Sequence, residues 1–247
     1  RICIFLLRLE VSVRLFTSTS SIESALHEVI EREKRIKSIP LDHSVSVTFP
    51  PFSRHITIAT SGKEFSGILD GKLIHQLGNR IWRNLDRDAV LKLWNNHLQS
   101  DLANLIETTL SKSGQILRYS ESSGTTQIYG ITSPTFLEMN QIVFRNTLSA
   151  ALTPYGIAPN KKVSRTPFGE VAEEFSVPGQ GGQVGLTCQV LYGLNNGYSS
   201  YRLFWGRTVL VCSNGLTAFE NIGRDRWLHT STVDINKFAT TSIEAAL

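Results

Sequence analysis

The chain has 247 residues, of which 41% are apolar and 19% charged, enough to bury a sizeable core and too apolar for a disordered tail. Its 25 Lys plus Arg against 21 Asp plus Glu give +4, a balance that permits an anionic partner without the block of like charge that marks a basic tail. Cys3, Cys188 and Cys212 are odd in number and lack C-x-x-C spacing, which argues against a disulfide framework and a zinc ribbon, and no apolar run reaches the length of a membrane span.

Residues 1–20 form an N-terminal segment of ambiguous character. Ile2 to Leu7 are apolar, Arg8 and Arg14 follow, and Thr17 to Ser21 are hydroxylated, a pattern that suits either a targeting segment or an ordinary first strand. Ile22, Ala25, Leu26, Val29, Ile30 and Ile36 then recur at helical spacing and predict an amphipathic helix that stops before Pro40. Alternation through Val45, Val47, Phe49, Ile56 and Ile58 predicts two short strands around Pro50-Pro51. Helical periodicity returns from Ile68 to Leu110, as two helices joined near 84–88 with Asp86 or Asp88 as cap.

Gln115 to Tyr119 and Thr126 to Ile131 read as a hairpin around Ser122-Ser123-Gly124. Ser133-Pro134 opens a helix that Gly156 closes, with Leu137, Phe144, Leu148, Ala151 and Leu152 as its apolar stripe. Strands follow at Glu170 to Val177, Gln183 to Tyr192, Tyr201 to Trp205 and Arg207 to Cys212. This is an α+β pattern: a helical middle segment packed with a mainly antiparallel sheet built from the C-terminal half. No linker is distinct, so residues 21–247 are expected to form one domain.

Several motifs carry chemistry in principle. Arg202, Phe204 and Tyr198 fall on one side of a strand and Tyr201, Leu203 and Trp205 on the other, and an aromatic surface studded with arginine can stack bases and neutralise phosphate. Arg207, Arg224 and Arg226 extend the basic set, and Lys161, Lys162 and Arg165 make a second basic stretch. The competing reading puts Tyr201 and Trp205 in the core and leaves the arginines as ordinary surface charge. Asn214-Gly215 is a hairpin turn signal, and Cys212 beside it reads as a small buried residue. His229, after Arg224, Arg226 and Trp227, suits phosphate contact, proton transfer or a structural role. His27-Glu28-Val29-Ile30-Glu31 lacks the second His of a zinc helix, and Pro178 to Gln183 precedes a strand and lacks the Lys and Ser/Thr of a nucleotide loop.

Gly185-Leu186, Asn195-Asn196-Gly197-Tyr198-Ser199-Ser200, Val209 to Leu216 with its Val-Cys-Ser-Asn-Gly core, and His229-Thr230 together resemble the phage/plasmid-like family known as domain of unknown function 932. Lys72 to Leu77 and Trp94 to Leu98 extend the resemblance more weakly. It implies a setting in mobile-element DNA metabolism. The expectation is therefore a non-catalytic nucleic-acid-binding protein, binding or annealing single-stranded DNA in replication or recombination. Tyr198, Arg202, Phe204, Arg207, Arg224, Arg226 and His229 would be its contacts, without cofactor or metal, in a homo-oligomer. One alternative is a metal-dependent enzyme acting on nucleic acid or nucleotides through His229, Asn195 and Asn214. Another is a host-modulating factor that binds protein through an exposed apolar surface at Tyr201 and Trp205. The expected address is the cytoplasm of a bacterial, archaeal or viral host, or an organelle if residues 1–20 are a targeting segment.

Overall fold

The computed structural model describes residues 21–50, 55–68, 73, 98–166, 169–177, 185–210, 217–229 and 234–246. The chain is α+β, and its described residues fall into two compact, discontinuous units. One comprises the described parts of Arg1–Val29, Asn140–Gly193 and Ser200–Leu247; the other those of Ile30–Met139 and Leu194–Ser199.

Helix α1 (Ile22–Glu33) begins where Ser21 Oγ accepts the backbone N–H of Ser24 at 3.2 Å, a hydroxyl cap. It buries Ala25, Leu26 and Val29, but ends at Glu33, short of the expected stop near Pro40. Residues Lys37–Pro40 instead form strand β1, at the margin of a six-stranded sheet, where a proline without an N–H is tolerated.

That sheet adds β2 (Ser46–Thr48), β3 (His55–Thr60), β4 (Lys63–Ile68), β5 (Ile116–Ser122) and β6 (Thr125–Thr132), in the order β1-β5-β6-β4-β3-β2. Its neighbours are antiparallel except β4 and β6, which meet in parallel at Ser66 and Gln127. The expected hairpin at 115–131 is β5–β6, and Ser123 and Gly124 both take positive φ at its turn. Helix α2 (Gln99–Ser113) brings Leu102, Ile106 and Leu110, one above the other at four-residue spacing, into the core of Ile56, Ile58, Phe65, Leu117 and Ile131. The two helices expected between Ile68 and Leu110 lie largely outside the described residues, as do Asp86 and Asp88.

The second sheet has five strands in sequential order, β7 (Ala158–Arg165), β8 (Val171–Ser176), β9 (Gly185–Tyr192), β10 (Tyr201–Leu210) and β11 (Thr217–Trp227), all antiparallel. Helix α3 (Gln141–Leu152) and helix α4 (Ile235–Ala246) belong to the same unit. The sequence pattern starts α3 at Ser133-Pro134, but the first helical residue is Gln141. The Asn140 side chain accepts from Ile142 N and Val143 N, and this cap decides the start over the apolar stripe. Phe144, on α3, lies 4.2 Å from the Tyr201 ring and within 6.4 Å of Tyr192, Trp227 and Phe238 (centroid distances). Beside this aromatic core, Arg145 makes a forked pair with the fully buried carboxylate of Glu173 at 2.8 and 2.9 Å, and Tyr192 donates to the same carboxylate at 2.6 Å. Three donors thus reach the two oxygens of the buried charge, which makes the pair a structural one.

Candidate nucleic-acid interface

Strand β10 alternates as expected. Tyr201, Leu203 and Trp205 are at most 1% exposed, while Arg202 and Phe204 are half-buried on the opposite face. The aromatic side is anchored by a hydrogen-bonded chain, in which Trp205 Nε1 donates to Ser242 Oγ of α4 at 2.6 Å and Ser242 Oγ donates to Asp225 Oδ2 at 2.5 Å. Tyr201 and Trp205 are therefore core residues, and the exposed apolar surface that a protein-binding reading would place there is absent.

The antiparallel register of β11 against β10 sets Arg226 opposite Arg202 and Arg224 opposite Phe204. These four residues share one face of the sheet, at its β11 margin. Two like charges directly opposite one another oppose pairing by a fraction of a kcal/mol. Here both guanidinium groups turn their Nε–H onto one hydroxyl: Ser200 Oγ accepts from Arg226 at 2.8 Å and from Arg202 at 3.3 Å. Ser200 is 1% exposed, so the two cations converge on a fixed point at the start of β10.

The remaining site candidates are placed elsewhere. Arg207 is exposed, but the alternation puts it on the Trp205 side of β10, in register with Glu220. The expectation that it widens the Arg202 surface is corrected by this parity. Tyr198 precedes the strand and belongs to the Leu194–Ser199 loop of the six-stranded unit, so it does not continue the Arg202–Phe204 row. In that loop Asn196 Oδ1 accepts from Tyr198 N and Ser199 N, a local turn, and the loop backbone comes so close to β6 that a Cβ on Gly130 would lie 2.0 Å from Asn196 O. His229 is buried, with ring centroids 5.6 Å from Tyr201 and 5.8 Å from Trp227, on the aromatic side and away from the arginine face.

Asn195 is bonded throughout. Its N–H and Nδ2 donate to the two oxygens of Glu33 at 2.7 Å each, Nδ2 also reaches Met139 O at 3.1 Å, and Oδ1 accepts from Met139 N at 2.9 Å. Tyr129 completes the cluster by donating to Glu33 at 2.7 Å, and burial together with that carboxylate raises its phenol pKa. Cys188 is fully buried, and burial pushes its thiol pKa well up, away from the reactive thiolate. Among the described residues no three or more His, Cys, Asp or Glu side chains are grouped to hold a metal ion. Asn214-Gly215, Cys212 and the Pro178 to Gln183 loop lie outside the described residues, as do the side chains of Lys161 and Lys162. No helix among the described residues is long and apolar enough to cross a membrane.

No family model, curated protein or solved structure matches the chain. Arg202, Phe204, Arg224 and Arg226 are legible in the sequence as an arginine and aromatic set, whereas the places of Ser200, Gln189 and Glu174 beside them are not. The last two lie in register with Phe204 on β9 and β8, a neighbourhood that no spacing along the chain encodes.

Proposed function

We propose that the chain binds single-stranded nucleic acid on the β10–β11 face. The observation that carries this reading is the in-register pairing of Arg202 with Arg226 about the Ser200 hydroxyl, with Phe204 and Arg224 in the next outward-facing row. A phosphate brought to the two guanidinium groups can take charge-assisted bonds from both. Phe204, two residues along the same strand face, offers a ring on which a base can stack, a contact that tolerates any base and contributes about 1–3 kcal/mol. A non-catalytic role in binding or annealing single-stranded DNA, within mobile-element replication or recombination and in a homo-oligomer that aligns several such faces, is the function this chemistry suits. The resemblance to the phage/plasmid-like family supports the setting.

The test is fluorescence anisotropy of labelled single-stranded and duplex oligonucleotides over a salt series. Single strands are expected to bind more tightly, with log affinity falling linearly with log salt. The paired substitutions Arg202→Ala and Arg226→Ala should weaken binding at least about tenfold and reduce the salt slope by about one. Absence of binding at low salt, where attraction is greatest, would sink the reading.

A further inference from the structure

We propose that Ser38 is a phosphoacceptor for a basophilic protein kinase and that Arg118 seats the resulting phosphate. Both residues belong to the six-stranded unit. Lys34, Arg35 and Lys37 precede Ser38, and all four side chains are exposed. Cations just before a hydroxyl are a charge pattern by which an acidic substrate groove selects its site. Lys34 and Lys37 are held only by surface pairs with Glu31 and Glu121, which solvent keeps weak. Ser38 lies on β1, a four-residue strand at the margin of its sheet, paired with β5. Such a strand is already extended and opens at lower cost than an interior one.

The register sets Ser38 directly opposite Arg118, and Arg118 opposite Gly130 of β6. The Gly130 end of this row is closed by the Asn196 backbone, which a Cβ there would meet at 2.0 Å, whereas the Ser38 end is exposed. Arg118 itself is only 6% exposed. Its Nη1 donates to Glu138 and its Cζ stands 5.7 Å from the Phe136 ring centroid, but its buried Nε donates to no acceptor among the described residues. A buried donor without an acceptor is costly, and a guanidinium is built to bind two oxygens at once. Directly opposed residues hold their Cβ atoms about 5 Å apart, so a phosphate on Ser38 Oγ comes within reach of this group. It brings three acceptor oxygens and nearly two negative charges to compete with Glu138, whose side chain is 63% exposed and can turn to solvent. In the transfer, Ser38 Oγ attacks the γ-phosphorus of a nucleoside triphosphate. The new O–P bond forms as the bond to the β–γ bridging oxygen breaks, the nucleoside diphosphate leaves, and the hydroxyl proton passes to the kinase's catalytic carboxylate.

The experiment treats the folded full chain with a basophilic serine/threonine kinase and ATP, maps the phosphate by peptide mass spectrometry, and titrates it by phosphorus NMR with and without urea. Ser38 is expected to carry the phosphate, and Ser38→Ala to lose it. A cation beside the phosphate favours the dianion, so its second pKa should be about one unit lower in the folded chain than in urea. Arg118→Gln should remove that difference; if this variant folds poorly, Glu138→Gln, which removes the competing carboxylate at an exposed side chain, should enlarge it. Absence of phosphate from Ser38 of the folded chain would overturn the inference. So would equal pKa values in the folded and urea-unfolded chains, a difference that survives in folded Arg118→Gln, or one that Glu138→Gln leaves unchanged.

Discussion

The polar run from Asn195 to Ser200 serves two different ends. At Asn195 every donor and acceptor of the side chain is matched by a partner of opposite character, Glu33 or the Met139 backbone. At Ser200, five residues on, one hydroxyl is shared by two cations that repel each other. A saturated cluster lowers the energy of the fold by itself, whereas two cations gathered at one point can also donate charge-assisted bonds to an anion. The first arrangement is structural. The second is where the proposed nucleic acid would bind.

That contrast can be broken most forcefully at Asn195. Asn195→Ala should lower stability by about 2–4 kcal/mol, seen as a lower urea midpoint, because Glu33 and the Met139 backbone lose partners together. Its affinity for single-stranded DNA, measured where the protein is fully folded, should not change. A loss of affinity without loss of stability would mean that Asn195 belongs to the binding surface after all.

Phe204→Ala sharpens the comparison from the other side. The ring is half-buried on the arginine face, so truncation should weaken DNA binding about tenfold while the melting temperature stays close to that of the wild type. A large drop in melting temperature with unaltered binding would return Phe204 to the core.

The smallest effect concerns Asp42, a second saturated group in the six-stranded unit. Its carboxylate accepts from the Ser44 hydroxyl and N–H, and from the hydroxyls of Ser61 and Thr60, and these donors, with Ser44 foremost, lower its pKa to about 2. A pKa lowered on folding stabilises the folded state above the unfolded value, about 4, and the contribution is lost as pH falls through about 2. The difference in urea midpoint between wild type and Asp42→Asn should therefore be present at neutral pH and vanish between about pH 4 and 2.

Sequence periodicity located much of the secondary structure, and its failures have physical causes. Helix α1, the β5–β6 hairpin and the buried stripe of α3 all follow spacing and turn chemistry that act within a few residues. Ile36 keeps the helical spacing up to the start of β1, whereas the pairing of β1 with β5 is a long-range contact that no local pattern reports. Strand β11 escaped notice because its charged residues mask the alternation and its register slips against Trp205 and Gly206, which leaves Ile222 exposed. The arginines at 224 and 226 could be suspected from composition, but nothing in their order along the chain says that Arg226 faces Arg202.

By itself the sequence determined the local quantities: which residues alternate, and that Tyr201, Leu203 and Trp205 must turn to one side and Arg202 and Phe204 to the other. Only the tertiary structure decided which strands lie side by side and in what register. It thereby put Arg207 and His229 on the other side of the sheet from the arginine face, and set Gln189 beside Phe204 and Glu174 beside Gln189. Alternation is fixed by the backbone of a single strand, whereas register is fixed by the joint burial of one face of the whole sheet.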